Sequence, residues 1–338
     1  MYEGYRWVVA AERQVVREPL TWPDPGPGQL LLRTEASLVS AGTELAIYTG
    51  IHQGLANPNA RWPKYPQPMG YMAVARVVAT GSEVSNYRAG DRLLTSTGHA
   101  TFATVEVGSG RFWPLPEGIP AEQAVFARMA RTAFAAIAQA EVTAAQSVAI
   151  VGLGIVGQIA LRLFRAAGAH PIAGVDPVTM RRQAAARGGA SRLFASTEEA
   201  APALRTEWDG GADLVVDATG WASALPGALA LARDAGRVIV LGSPRGTAAD
   251  VDFYTDLHRR SLRVIGAHDS GIGPRVRDGF PWTTERVVPA CIAYLSDGRL
   301  PVADLITHAV PAERLPELYH GLLEEKERYL GCVLLWQS

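Results

Sequence analysis

Three glycines in the run Gly152-Leu-Gly154-Ile-Val-Gly157 stand between an apolar stretch, Ser147 to Val151, and an amphipathic one with Ile155, Ile159 and Leu163 on one face and Arg162 and Arg165 on another. A strand, a glycine turn and a helix in that order gather backbone N–H groups at the positive end of the helix, which is a cradle for a pyrophosphate. Gly152 permits the tight turn and Gly157 lets helix and strand pack closely. Gly154, with Leu153, Ile155 and Val156 beside it, offers its backbone to the phosphates. Asp176 follows nineteen positions after Gly157, at the end of the next β-like run, Ile172-Ala-Gly-Val. An acidic side chain there accepts the hydroxyls of a ribose and repels a 2′-phosphate, so the pattern favours NAD(H) over NADP(H). The plainer reading of Asp176 is a helix N-cap ahead of Pro177. Arg181 and Arg182 read as a solvated helix face, or as cations that stack on adenine or tolerate NADP(H).

Such a turn needs a parallel sheet to hold it, and the flanking sequence alternates strand-like and helical patterns as that requires. The runs are His170 to Asp176, Pro177 to Arg187, Ala212 to Thr219, Ala222 to Asp234, Gly236 to Gly242 and Leu262 to His268. Residues 1 to about 124 have another texture: short β-like runs (Gln29 to Ala36, Ala73 to Thr80, Arg92 to Thr95, Phe102 to Val107) between Pro- and Gly-rich turns. After Pro281 come a helix (Arg286 to Leu295), an extended segment from Leu305, a second helix (Ala312 to Leu323) and a last strand, Gly331 to Trp336, most simply placed in the first domain's sheet. The expected organisation is therefore an α/β chain with a β-rich domain built from residues 1–124 and 285–338 around a doubly wound domain of residues 125–284.

Composition agrees with two globular domains, since 338 residues at about 150 per domain suffice for two cores. Hydrophobic residues make up 48% and charged residues 19%, which excludes a disordered or low-complexity chain. The 32 basic and 33 acidic side chains nearly cancel, so neither nucleic acid nor an anionic membrane is an expected partner, and a small molecule is. The two cysteines, Cys291 and Cys332, cannot build a disulfide framework, and a cytoplasmic location is the default expectation. The start of the chain lacks the pattern of a secretory leader, and the most apolar run, Val148 to Gly157, is too short to span a bilayer.

Several segments together resemble the medium-chain dehydrogenase/reductase superfamily, the zinc-type alcohol dehydrogenases: Ser40-Ala-Gly-Thr-Glu-Leu, Met69-Gly-Tyr-Met, Ala89-Gly-Asp-Arg, Thr132-Ala-Phe, the glycine turn and Asp217-Ala-Thr-Gly. The resemblance spans essentially the whole chain and implies a GroES-like catalytic domain, a Rossmann domain, hydride transfer to or from a nicotinamide, and a homodimer or higher homo-oligomer. It also places Thr219 and Gly242 among the coenzyme-facing residues. The metal positions depart from the family pattern, with Ala41, Tyr71 and Arg128 where zinc ligands stand, and the four-cysteine lobe is missing. No zinc is expected. In this respect the chain is similar to a zinc-free branch that includes bacteriochlorophyllide dehydrogenase and enzymes of sugar, cyclitol and secondary-metabolite pathways.

Without a metal, a side chain must handle the substrate's hydroxyl proton. The resemblance puts Tyr71 in the cleft, as a proton-transferring phenol or as a space-filling aromatic. The phenol's ordinary pKa of about 10 requires lowering by a cation for the base role, with Lys64 and Arg128 as candidates. Ser40 joins a proton relay or simply ends a strand, Thr43 orients substrate or cofactor, and Glu44 touches substrate or makes a structural hydrogen bond. His52 lies in a polar and aromatic loop, residues 51–68, that suits a polyhydroxylated ligand. By family analogy His268 and Trp282 border the nicotinamide, against the plainer reading of His268 as a structural residue. The leading expectation is a zinc-independent, NAD(H)-dependent enzyme interconverting a secondary alcohol and a ketone. The alternatives are an enoyl or quinone reductase and a silent nucleotide-binding protein.

Overall fold

A computed structural model describes residues 1–277 and 279–336. The chain divides into two compact units, Met1–Met129 with the segment from Ile306 onward, and Ala130–Leu305. Sequence texture put the boundaries at 124/125 and 284/285. The second lies further on because the helix Thr284–Ser296, which buries Val287, Val288, Cys291 and Ile292, groups with the nucleotide-type unit.

That unit is a six-stranded parallel sheet in the order Arg192–Phe194, Ile172–Val175, Val148–Val151, Ala212–Asp217, Ala232–Val240, Arg263–Gly266. The two strands Val148–Val151 and Ile172–Val175 are buried throughout, as a sheet covered on both faces demands. Ala200, Leu204 and Leu229 from the helices pack on Ala149, Val151, Val215 and Val238. Strand order reverses between Val148–Val151 and Ala212–Asp217, which leaves a crevice beyond the strands' carboxyl ends. The glycine turn opens into it.

Two local expectations change, and two elements form where none was expected. The helix expected over Ala222 to Asp234 ends at Leu231, and Ala232 already starts the next strand, pairing with Ala212. The strand Arg192–Phe194, three residues long, and the helix Thr197–Glu207, which contains Pro202 and is capped by Ser196 accepting from the Glu199 N–H, lie outside the expected elements. Arg162, read as part of a polar helix face, is 2% exposed.

The first unit is β-rich. Tyr2–Ala11 and Gln14–Trp22 form an antiparallel hairpin, with Val8 opposite Val16. The strand Gln29–Leu38, with Leu30, Leu31 and Leu32 buried, pairs with Ala73–Thr80 and Phe102–Glu106. At its far end it takes the last strand, Gly331–Leu335, with Val333 opposite Leu38. Trp7, Ile47, Met69, Leu315, Leu318 and Trp336 share one core, so the chain's two ends are packed together. Among the described residues no helix is long and apolar enough to cross a membrane.

Candidate active site

In the second unit the turn between Val151 and the helix Ile155–Ala166 has the features of a phosphate cradle. Gly152 has φ +85°, a conformation that favours glycine, and a Cβ there would lie 2.9 Å from the Thr219 amide nitrogen. A Cβ on Gly157 would lie 1.9 Å from the Gly152 carbonyl oxygen, so helix and turn approach this closely only because residue 157 is glycine. Gly154, at the helix start, has open space where its Cβ would be. That is where a pyrophosphate would approach the helix N-terminus. Ile155 is buried beneath, and Val156 is half-buried.

Asp176 is buried and anchors the turn: Oδ2 accepts from the Leu153 N–H at 2.8 Å and Oδ1 from the Val178 N–H at 2.9 Å. It is not the N-cap of the next helix, because that position belongs to Val178. Arg181 lies 3.7 Å from Asp176 Oδ2. Arg182 donates to the Asp176 and Pro177 carbonyls and to Thr179. On the other side of the crevice, the Thr219 N–H and hydroxyl donate to Asp217 Oδ1, and the Gly242 N–H donates to the Asp217 carbonyl. Burial raises the Asp217 pKa against the pull of its Thr219 donors.

In the first unit, Ser40 Oγ and the Tyr71 hydroxyl are 2.7 Å apart. Thr43 also acts on that phenol, lowering its pKa, and the Arg128 guanidinium lies over the Tyr71 ring, 5.6 Å from its centre. Arg128 is held by Nε donating to Ser96 Oγ at 2.9 Å. Burial pushes the phenol above its ordinary 10.0, and the Glu44 charge adds to this, while the Ser40 and Thr43 hydrogen bonds and the Arg128 charge pull it back. The net direction is upward, opposite to what a neutral-pH base requires, because desolvation outweighs the nearby cation.

Glu44 is 1% exposed, and its carboxylate is taken up by hydrogen bonds within the unit. Its Oε1 accepts from the Ser40 N–H at 2.8 Å, and its Oε2 from the Tyr319 hydroxyl at 2.7 Å and from His99 Nε2 at 3.0 Å. The other ring nitrogen of His99 meets Ser37 Oγ at 2.8 Å, and Ser37 Oγ accepts from Trp336 Nε1 at 2.9 Å. Neither His99 nor Tyr319 stood out in the sequence. His99 sits among seven scattered histidines, and both partners are far from Glu44 along the chain.

The other candidates are not gathered at these places. Lys64 is exposed, with its backbone N–H on Gln67 Oε1, and the cation over Tyr71 is Arg128. His52 caps the short helix Gln53–Ala56, accepting from the Gly54 N–H, and packs edge-on against Trp62. His268 is exposed and caps the turn Asp269–Gly271 through Nδ1. Trp282 packs against Phe134 under the Arg286 guanidinium, lining a cavity of about 490 Å³ with Leu163, Ala167 and Tyr294. Leu163 and Ala167 lie toward the far end of the helix that starts at Gly154, so Trp282 is away from the glycine turn.

The side chains at the three family metal positions do not fit zinc. Ala41 offers no donor atom, Arg128 is a cation, and the Tyr71 phenol holds its proton. Among the described residues no group of three or more His, Cys, Asp or Glu is placed to hold a metal ion.

Residues 156–278 match the family model described as zinc-binding dehydrogenase. That stretch contains none of the positions 41, 71 and 128. The chain is 26% identical over 261 residues to the D-guloside 3-dehydrogenase of Escherichia coli, covering 76% of this chain and 74% of that protein. It is 26% identical over 344 residues to the L-threonine 3-dehydrogenase of Caldanaerobacter subterraneus, covering 93% of each. The solved structure of 2R,3R-butanediol dehydrogenase from Bacillus subtilis superposes with a TM-score of 0.82 at 19% identity, over 98% of this chain and 99% of that one. These matches bear out the resemblance to the medium-chain dehydrogenase/reductase superfamily and its pairing of a GroES-like with a Rossmann domain.

Proposed function

We propose that the chain is a zinc-independent, NAD(H)-dependent oxidoreductase that interconverts a secondary alcohol and a ketone on a polyhydroxylated small molecule of the sugar, cyclitol or secondary-metabolite kind. The observation that carries this reading is the Ser40–Tyr71–Thr43 hydroxyl cluster beneath Arg128, made by residues at and beside the family's metal positions. Relatives named for the 3-oxidation of a guloside and of threonine support the alcohol–ketone chemistry.

Bound NAD(H) supplies the site that gives or takes hydride. The turn Gly152–Gly157 would hold its pyrophosphate. Asp176 would meet its adenosine ribose and disfavour a 2′-phosphate, a reading supported by the engagement of Arg182 with backbone carbonyls. Tyr71, protonated at neutral pH, donates its proton to the substrate oxygen as a ketone is reduced. Ser40 and Thr43 aim the phenol, and Arg128 stabilises the phenolate until water returns a proton. In the reverse direction the phenolate accepts the hydroxyl proton of the alcohol.

The test is a screen by NAD(P)H absorbance over polyols, ketones, enones and quinones, repeated with a chelator and with Tyr71→Phe. Ketone and polyol turnover that survives chelation and falls about a hundredfold or more in Tyr71→Phe is expected. Zinc at one equivalent per chain, lost together with activity, would overturn the metal-free reading. Turnover of enones or quinones alone would move the assignment to double-bond reduction, and NADH binding without turnover of any of them would make the chain a nucleotide-binding protein.

A further inference from the structure

The Glu44 carboxylate is sealed from solvent, yet three donors from different parts of the first unit converge on it: the Ser40 amide, His99 and Tyr319. Every member of the chain beyond it is partnered as well. Trp336 Nε1–H donates to Ser37 Oγ, Ser37 Oγ meets His99 Nδ1, and His99 Nε2–H donates to the acceptor-only Glu44 carboxylate. A buried network satisfied at every member holds its geometry rigidly. The amide it grips belongs to Ser40, whose hydroxyl is on the Tyr71 phenol.

We propose that Glu44, fastened by His99 and Tyr319, is a positioning residue that fixes the Ser40–Tyr71 pair and sets a fixed negative charge against the Arg128 cation. The inference rests on the reading of Tyr71 as the proton-transferring group. Two charges face the phenol, Glu44 from the helix Thr43–Tyr48 and Arg128 from the helix Phe126–Ala140, and the Ser40 and Thr43 hydroxyls bond to it. His99 and Tyr319 face Glu44, and Tyr48 packs on Tyr319. The two charges act in opposite directions on the phenol's proton, and Glu44 strengthens its hold.

The test is Glu44→Gln, which keeps the shape and removes the charge. The network accommodates it by reversing direction: with the new amide oxygen kept on the Ser40 N–H, its NH2 donates to His99 Nε2 and to the Tyr319 oxygen, and His99 Nδ1–H donates to Ser37 Oγ. Full-length protein carrying tyrosine labelled with carbon-13 at Cζ is titrated by NMR, the Tyr71 resonance being the one missing in Tyr71→Phe. In Glu44→Gln the Tyr71 titration shifts downward by about one pH unit, and in Arg128→Met it shifts upward. An unmoved Tyr71 titration in folded Glu44→Gln overturns the inference. Should Glu44→Gln not fold, Tyr319→Phe serves: loss of one donor leaves the carboxylate's charge less neutralised, so Tyr71 titrates higher, and no change there overturns it equally. Turnover separates the two claims. If Tyr71→Phe keeps full activity while Glu44→Gln still moves the Tyr71 resonance, the proton-transfer reading fails and the network stands.

Discussion

In the proposed mechanism Tyr71 transfers the substrate's proton, and the upward shift of its pKa gives that proposal a direction. The protonated phenol is the competent form for ketone reduction and persists at every pH below its raised pKa, so the reduction rate is expected to stay level through neutral pH and fall only above 10.0. Alcohol oxidation needs the phenolate, so its rate climbs with pH over the same range. Profiles of kcat/KM in both directions check this, and a break near neutrality would assign proton transfer to another group. Asp176 makes the corresponding case for the coenzyme. Because its carboxylate also holds the Leu153 and Val178 amides, Asp176→Ala weakens both coenzymes, but NADH about tenfold more than NADPH, read as dissociation constants by fluorescence. Equal losses would leave Asp176 as an anchor of the turn without a part in coenzyme choice. The sequence exposed Tyr71, Ser40, Thr43 and Arg128 because they lie in motifs that align with a family. It hid the burial of Glu44, because two of the partners that make burial tolerable, His99 and Tyr319, are 55 and 275 positions away.

Element boundaries were legible where Pro and Gly punctuate the chain: Ala73–Thr80 and Arg92–Thr95 form as strands over the expected residues. Periodicity misled at Arg162. A helical wheel puts it with Arg165 on the polar face, but that face is covered, and the guanidinium is accepted by polar groups no wheel shows. NH1 donates to Gln158 Oε1 at 2.9 Å and NH2 to Asp304 Oδ2 at 2.8 Å. Held this way, the Gln158 amide points its Nε2 at the Leu153 carbonyl of the glycine turn, 3.1 Å away, and at the Arg181 carbonyl, 2.7 Å away. Through Gln158, the buried Arg162 thus ties the turn to the next helix. Arg162→Met is expected to cost about 2–4 kcal/mol, less than a wholly buried pair because Asp304 is partly exposed, and to weaken NADH binding. Thermal melts and NADH titration measure the two effects. Adding Asp304→Asn should recover part of the lost stability, since it removes the carboxylate left without its main partner.

At the scale of the whole molecule, the return of the chain's end to the first unit decides which pieces can fold. The strand Gln29–Leu38 meets Gly331–Leu335 along its Ala36–Leu38 end, Trp7 Nε1 donates to the Ala312 carbonyl at 2.9 Å, and Trp336 and Tyr319 reach the Ser37 and Glu44 side chains. Residues 1–129 alone would therefore expose an open strand edge and the apolar faces of Trp7, Ile47 and Met69, and would leave Glu44 without one of its donors. Residues 130–305 contain all six strands of the parallel sheet, the glycine turn, Asp176 and the Arg162–Asp304 pair, and lack none of these partners. The expected outcome is that the 130–305 fragment melts cooperatively and binds NADH within about tenfold of the full chain, a loss of no more than about 1.4 kcal/mol. The 1–129 fragment is expected to aggregate or stay unfolded by circular dichroism. Joining residue 129 to 306 through a short Gly/Ser linker should restore folding to the first unit, because it returns the last strand, Tyr319 and Trp336 together. A soluble, cooperatively folded 1–129 fragment would show instead that the N-terminal strands suffice, and that the C-terminal segment acts on the Ser40–Tyr71 pair without being required for the fold around it.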